Sequence, residues 1–532
     1  MTYDKVAEFF DELKNNYGNI IIYGAGIDGR LIAEVASNYG CPISYIADQN
    51  PLLHGLSICG ISIVSKHKSL SKADAVLIST RSSVFEEEII SEINEYYAGS
   101  DQPRIIKRTD IPFRNEDVFR QFVRNPIQKG GWFGNSSDMH NEPKNDEDDI
   151  FDNRVAEGNK ARQRIKSARE EFLDIGRKKW SGKKLLIVLP VSSIGGGMKV
   201  VLNEAHQMAN MCVDVTIFNL AKNRAGFEKN TMLQLPVIYG EELSDLVGMA
   251  HEYDAVCSTW YTSVKYCAAL SESTRTVYYV QDYEPDFFEH GSKEYYEALN
   301  SYTIVKKNVL VTKTQWNYDQ VKLKTGAECT IIGPSVDLDL YRPGKRLSKP
   351  DRVILCAMIR PSTKRRSPQL TLDVLEHLSD KYGDRIEIFV FGSDPTRAYT
   401  DNIFWRQVSK TSQIINFGVL NSEEVASVLS SVDIFADLSE SQAMGLTAME
   451  AMACGCATVV PQNGGCLDFA ENGRNALIIN THSKQACIDS ISHLIDDEDI
   501  RKTISYNAIH DICEFYPEKA AYNFLNAVFP VE

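Results

Sequence analysis

Between positions 360 and 450 the chain sets a cation cluster, a glycine loop and a carboxylate in an order that suits a phosphorylated sugar. Arg360, Lys364, Arg365 and Arg366 place four cations within seven residues. They follow the apolar run Arg352–Met358, at a strand exit, where they can neutralise charge on a departing diphosphate without a metal. Gly445 precedes the helix-prone run Ala448–Ala453, and Gly455 suits that helix's end. A helix N-terminus turns unpaired N–H groups toward an anion. Glu450 falls about one turn inside, where its carboxylate can accept sugar hydroxyls. The plainer readings are an ordinary αβ turn and a solvated basic turn.

The elements that must position these residues are legible as apolar runs. Val432–Leu438 reads as a buried strand before the glycine loop, and Cys456–Pro461 as another after it. Further strands are expected at Lys184–Pro190, Val213–Leu220, Tyr253–Trp260, Thr276–Val280, Asn308–Thr312, Ile386–Phe391 and Ile414–Gly418. Helices alternate with them, as over Val200–Asn210, which predicts α/β architecture with parallel sheets. Ligands of such sheets bind beyond the carboxyl ends of the strands. Gly195, Gly196 and Gly197 occupy one such exit, where backbone can approach a neighbour closely. Gln281, Asp282, Glu284 and Asp286, interleaved with aromatic residues, occupy another and suit a sugar-lined cleft. Tyr516–Val528 reads as an amphipathic helix, either plain packing or a tie back to the preceding domain.

Residues 1–125 carry Gly24, Gly26 and Gly29 in G-x-G-x-x-G spacing after a strand at Asn19–Tyr23. A strand at Ile43–Asp48 follows, ending in Asp48, which is placed to bond a ribose. Asp74–Thr80 reads as a further strand. Tyr23 to Gly26 with Gly29, Ala47–Pro51 and Gly55–Ile61 resemble the small Rossmann-like domains of sugar-nucleotide modifying proteins. That resemblance leaves ligand binding and a scaffold or oligomerisation role both open. No Tyr-x-x-x-Lys pair can be placed there, so an oxidoreductase reading is poor. Residues 126–182 read as a linker, with a turn at Gly130–Gly134, a loose acidic stretch at Asn141–Asn153 and a bridging helix over Ala161–Lys179.

The bulk numbers exclude several classes. A chain of 532 residues has room for about three or four domains. Hydrophobic residues at 43% and charged residues at 24% describe an ordinary globular protein. A net charge of −15 argues against nucleic-acid binding, which needs a basic footprint. The twelve cysteines include no C-x-x-C pair, so neither a zinc site nor a disulfide framework is expected, and no metal. Met1 to Lys5 lacks a basic n-region, and no apolar run approaches the roughly 20 residues of a membrane span. The expectation is a cytoplasmic protein, soluble or at the inner face of the membrane.

Taken together, residues 183–345 and 346–532 suggest a GT-B fold of two facing Rossmann-like domains, acceptor then donor, preceded by the small Rossmann-like domain. Their motifs resemble family-4 retaining glycosyltransferases. The matching pieces are Gly195–Gly197, Val336-Asp337, Tyr341-Arg342-Pro343, Arg360, Lys364-Arg365, Phe417-Gly418-Val419-Leu420 and Gln442 through Glu450. Tyr279–Pro285 with Gln442–Leu446 looks closest to the WsaF-like rhamnosyltransferases of bacterial surface-glycan assembly.

The resemblance implies roles position by position. Glu450 would bind the donor ribose, and Gly445, Leu446 and Thr447 would hold the pyrophosphate. Arg360 with Lys364 or Arg365 would supply the diphosphate cations. Gly196, Gly197, Gly418, Leu420, Gln442 and Met444 complete the implied donor site, with Asp282, Arg360 and Lys364 as the implied catalytic residues. Gln442 stands where the family has an acid. Gln281 stands where many relatives have a histidine that reaches the donor's sixth-carbon hydroxyl, so a 6-deoxy donor such as dTDP-L-rhamnose fits. The acceptor would be a glycan, free or lipid-linked, and no cofactor beyond the nucleotide sugar is required. The alternatives are a catalytically weak sugar-nucleotide-binding scaffold and a bifunctional enzyme whose first domain uses NAD.

Overall fold

The computed structural model describes residues 3–23, 29, 32–33, 36, 39–47, 57–58, 61–65, 70, 73–79, 83–97, 102–107, 110–111, 148–192, 195–229, 235–270, 274–344, 352–393, 404–405 and 414–530. They fall into two compact units. One is drawn from Met1–Asn145, Lys345–Pro350 and Val390–Leu420, the other from Asp146–Gly344, Asp351–Phe389 and Asn421–Glu532.

In the first unit, short apolar runs pair as a mainly parallel sheet. Its strands are β1 (Ile20–Tyr23), β2 (Ile43–Ala47), β3 (Ser57–Ile58), β4 (Ile61–Val64), β5 (Ala75–Ile78) and β6 (Arg104–Ile106), in the order β3-β4-β2-β1-β5-β6. β1 and β5 are apolar and buried along their whole length, as central strands of a parallel sheet must be. The expected strands at Asn19–Tyr23, Ile43–Asp48 and Asp74–Thr80 are therefore present. Gly29 is helical and buried, while Gly24, Gly26 and Asp48 lie outside the described residues.

The second unit holds two Rossmann-like halves. The first half carries β7 (Lys184–Val188), β8 (Asp214–Leu220), β9 (Val237–Gly240), β10 (Ala255–Ser258), β11 (Arg275–Val280), β12 (Val309–Thr312) and β13 (Thr330–Ile331), in the order β13-β12-β11-β10-β7-β8-β9. The second half carries β14 (Val353–Met358) and β15 (Ile386–Phe391). β16 (Ile414–Asn416) falls within the first unit. β17 (Ile434–Ala436), β18 (Ala457–Pro461) and β19 (Ala476–Ile479) complete the second half, in the order β15-β14-β17-β18-β19. The strand order reverses between β7 and β10 in one sheet and between β14 and β17 in the other. Such switch points open a crevice at the carboxyl ends of the strands.

Two helices bind the halves together. The bridging helix runs over Asp148–Trp180 and is longer than expected. The stretch Asn141–Asn153, expected to be loose, is helical from Asp148 onward. Beyond it Arg154 anchors the helix by donating to the carbonyls of Val432 and Gly455 at 3.0 and 2.8 Å. Arg162 donates to Leu338 O at 2.9 Å, Tyr341 O at 2.6 Å and Ala453 O at 3.3 Å. Arg169 grips both oxygens of Asp339 at 2.9 and 2.7 Å. At the far end Trp180 is buried in the core of the first half, and Nε1 donates to Phe529 O at 3.0 Å. The second helix, Pro517–Val528, buries Ala521, Phe524, Leu525 and Val528 in that same core, beside Leu185, Val201 and Val215. Tyr516–Val528 is thus the tie back, not packing within its own half.

Arg162 ties the carbonyls of Leu338, Tyr341 and Ala453 to the bridging helix. Arg162→Ala is expected to lower the unfolding free energy by about 2–4 kcal/mol in urea titrations, against a change within about 0.5 kcal/mol for the exposed Lys160→Ala.

Candidate active site

The short helix Leu446–Ala453 connects β17, one of the two strands at the second switch point, to β18. Its N-cap is Gly445 at φ +82°, a left-handed conformation that costs any residue with a Cβ. A glycine cap has no side chain to bond the first amides, and the helix's own bonding begins with Ala448 N and Met449 N, which donate to Gly445 O at 3.0 and 3.2 Å. Gly455 at φ +84° ends the helix, with Cys456 N donating to Ala451 O and Gly455 N to Met452 O, as expected of a glycine stop.

Glu450 lies in that helix and is buried. Burial lifts its carboxyl from 4.5 to about 7, against a hydrogen bond donated by the Tyr341 hydroxyl and the nearby charges of Lys199 and Arg366. Burial in turn holds the Lys199 ammonium below its usual range, with Glu450 opposing and Arg360 assisting that shift. Lys199, Tyr341 and Glu450 line a cavity of about 220 Å³ together with His206, Ser335 and Leu446. Behind it the buried Glu204 takes hydrogen bonds from Ser335 Oγ at 2.6 Å and Tyr279 OH at 2.7 Å, and pairs with Lys313.

The cations divide into three situations. Arg360 and Lys364 are exposed. Arg365 reaches into the first half, where it pairs with Asp282 at 2.5 Å and lies 4.8 Å above the Phe287 ring. Phe287 stacks in turn on Trp260 at 5.9 Å. Arg366 turns inward, where burial and the neighbouring Arg360 and Arg365 hold its guanidinium below the usual value, against the pull of Asp437. Of the acids on the β11 exit, Asp282 faces this cluster. Glu284 is buried and accepts from Tyr261 N at 2.8 Å, and Asp286 pairs with Lys324 at 3.0 Å. Burial raises the Glu284 carboxyl to about 8.

The glycine run meets protein. A Cβ on Gly196 would stand 3.3 Å from the Leu446 side chain, and one on Gly197 only 2.2 Å from Gln281 Oε1. Gln281 is fixed there by donating from Nε2 to Thr259 O at 2.9 Å. Thr314 Oγ1 donates to Ala443 O at 2.5 Å and Gln315 N to Asp468 Oδ2 at 2.9 Å, so the two halves also interlock beside the cleft. Gln442 is buried and donates to Asp437 and Ser439. Met444 is half-buried, and Thr447 lies 3.9 Å from the Met358 sulfur. Gly418, at φ +74° with its N–H on Asn416 Oδ1, and the half-buried Leu420 belong to the other compact unit.

Lys199 and Asp437 have no role in the sequence reading, and Arg366 enters it only as a member of the cation cluster, although each follows a recognised signal. Lys199 comes directly after the glycines, Arg366 closes the cation cluster, and Asp437 is the first residue beyond β17.

Residues 344–511 match the family described as glycosyl transferases group 1. The chain carries a glycosyltransferase domain and is a glycosyltransferase. It is 22% identical over 374 residues to a D-inositol 3-phosphate glycosyltransferase of Corynebacterium aurimucosum, spanning 61% of this chain and 89% of that one. With the protein of the same name from Corynebacterium glutamicum it shares 23% over 193 residues, spanning 34% of this chain and 46% of that one. HepE of Anabaena, solved with UDP and glucose, superposes with a TM-score of 0.54 at 16% identity, covering 64% of this chain and 98% of that one. The sucrose-phosphate synthase of Thermosynechococcus elongatus gives 0.52 at 15% identity, covering 64% and 96%. The glycosyltransferase therefore has the expected α/β fold of GT-B type. Among the described residues no helix is long and apolar enough to cross a membrane.

The buried Glu450 makes stability depend on pH. Its carboxyl binds a proton more tightly in the folded chain, so stability falls as pH rises from about 4.5 to about 7. Glu450→Gln should remove about 3 kcal/mol of that fall, read from urea unfolding at pH 5 and pH 7.5.

Proposed function

We propose that this glycosyltransferase moves a sugar, with retention of configuration, from a nucleotide diphosphosugar to a glycan hydroxyl in bacterial surface-polysaccharide synthesis. The observation that carries the proposal is the convergence of an open helix N-terminus, a buried carboxylate and several cations at the switch points of two sheets. The amides of Leu446 and Thr447 suit a pyrophosphate, and Glu450 suits the ribose hydroxyls. Arg360 and Arg366 suit the charge that gathers on the leaving diphosphate, with Lys364 in reserve at the surface. The cavity beside Glu450 is smaller than the roughly 300 Å³ of a whole ligand pocket, so it suits one part of the donor.

The chemistry then needs little from the protein beyond position and charge. The bond from the anomeric carbon to the diphosphate oxygen breaks, and the bond to the acceptor oxygen forms on the same face. The acceptor's proton passes to the released diphosphate oxygen. Asp282, at the acceptor side and paired with Arg365, orders that cation and offers an oxygen to an incoming hydroxyl.

The donor sugar is a 6-deoxyhexose, with dTDP-L-rhamnose the first choice. Gln281 supports this, since it stands where an imidazole would reach a sixth-carbon hydroxyl and its amide nitrogen is committed to Thr259 O. HepE was solved with UDP and glucose, which makes UDP-hexoses the competing donors to test. The acceptor is a glycan, lipid-linked at the inner membrane face, and residues 1–125 act in binding or self-association.

The test is a donor panel with the purified chain, following nucleotide release with and without a glycan acceptor. dTDP-L-rhamnose should be used fastest, and Glu450→Ala and Arg360→Ala should each lower kcat/KM by about 100-fold (roughly 3 kcal/mol). Faster transfer from UDP-hexoses overturns the deoxysugar assignment. Release untouched by both substitutions overturns the enzyme site.

A further inference from the structure

The side-chain amide of Gln442 is held in a single orientation. Its Nε2 donates to the Asp437 carboxylate and, at 2.9 Å, to Ser439 Oγ. An ionised carboxylate only accepts hydrogen bonds. The nitrogen must therefore face Asp437, and the carbonyl oxygen must face the other way. Asp437 is fixed in its turn. Its Oδ1 accepts from Ser439 N at 3.1 Å and Ser439 Oγ at 2.5 Å, which leaves Oδ2 for the amide.

The backbone beneath is equally constrained. Gly465 N donates to Gln442 O at 2.8 Å. A Cβ on Gly464 would stand 2.7 Å from that oxygen, so the turn 464–465 closes onto it as glycine alone allows. Thr481 Oγ1 donates to Ser439 O at 3.1 Å and braces the loop from behind. Both Asp437 and Gln442 are buried. Arg366 is the cation within electrostatic reach of Asp437.

We propose that Asp437 is a positioning residue for the donor sugar, orienting the Gln442 amide so that its carbonyl oxygen is presented to a sugar hydroxyl. The inference rests on the reading of this cleft as a nucleotide-sugar site. The two residues divide what a single carboxylate would do. Asp437 carries the charge, beside Arg366, and Gln442 carries the acceptor oxygen. The sugar thus meets a neutral acceptor of fixed direction, which selects a hydroxyl that donates. A glutamate in place of Gln442 would instead set two carboxylates at hydrogen-bond distance in a buried place, and one would have to take up a proton.

The experiment compares Asp437→Asn, Gln442→Glu and the double variant D437N/Q442E with the unaltered chain. Donor KM, inhibition by bare UDP or dTDP, and melting temperature at pH 5.5 and pH 8 are measured. D437N allows the amide to turn over. Donor KM should rise about tenfold, while inhibition by the bare nucleoside diphosphate, which lacks the sugar, stays as it was. Q442E should melt lower at pH 8 than at pH 5.5, because a carboxyl with a raised folded pKa loses stability as pH rises. In the double variant the introduced amide donates to the introduced carboxylate, and both the melting temperature and the donor KM should recover. Equal weakening of donor and nucleoside diphosphate by D437N overturns the proposal, as does a Q442E melting temperature that D437N does not restore. If the unaltered chain uses no donor at all, the nucleotide-sugar reading fails by itself, and the melting temperatures still decide the orientation.

Discussion

A carboxylate buried inside a helix has to be answered by charge from elsewhere, and in this protein the answer comes from far away in the chain. Glu450 sits one turn from an open helix end. Its counter-charges are Lys199 on the first half and Arg366 on the second, and its hydrogen bond comes from Tyr341 where the chain crosses between them. No one half supplies the whole set. The glycines before Lys199 have their reason here. Gly196 lets its helix come up against Leu446, and Gly197 leaves room for Gln281. The site is thus assembled by packing two Rossmann-like halves to within van der Waals distance.

Such packing needs a frame that does not depend on the ligand. The bridging helix provides it through arginines that seek backbone carbonyls. Arg162 is the key member, because its acceptors include Tyr341 O and Ala453 O. One belongs to the residue whose hydroxyl serves Glu450, and the other to the end of the helix that carries Glu450. The guanidinium's fork suits this, since a planar group with several donors can hold carbonyls from different segments in one geometry. Asp339, which with Asp337 has the outline of an acidic metal motif, is spent on the same frame through Arg169. Asp337 Oδ1 accepts from the amides of Asp339 and Leu340, each at 3.1 Å.

Much of the fold could be read from the residues, because buried parallel strands must be apolar along their length. β7, β10, β11, β14 and β18 stand out for that reason. Gly445 and Gly455 were legible as helix start and stop through their conformational freedom. The partnerships were not. The close approaches at Gly196 and Gly197 follow only from folded geometry, since nothing local says whether a glycine run faces ligand or protein. Arg365 looked like one more diphosphate cation, but Asp282 lies 83 positions away, and their pairing depends on how the halves meet. The beginning of the bridging helix was hidden by acidic and amide residues, whose low propensity is outweighed by Arg154 and by Glu157 on His510 at 2.7 Å. Asp437 was read as part of a strand because apolar residues flank it, although a polar residue at a carboxyl-terminal strand end is the position where a parallel sheet meets its ligand.

The helix Pro517–Val528 has a consequence for how the protein is made. The first half begins to emerge from the ribosome at β7, yet its core is completed by Phe524, Leu525 and Val528, which are synthesised hundreds of residues later. Until then, apolar surface beside Val201 and Leu185 has no cover. Domains otherwise tend to mature one after another as they are translated. Here the first half must wait, partly formed, for the second to be finished, so the two reach their native packing together and a nascent chain has no completed first half to offer a partner early.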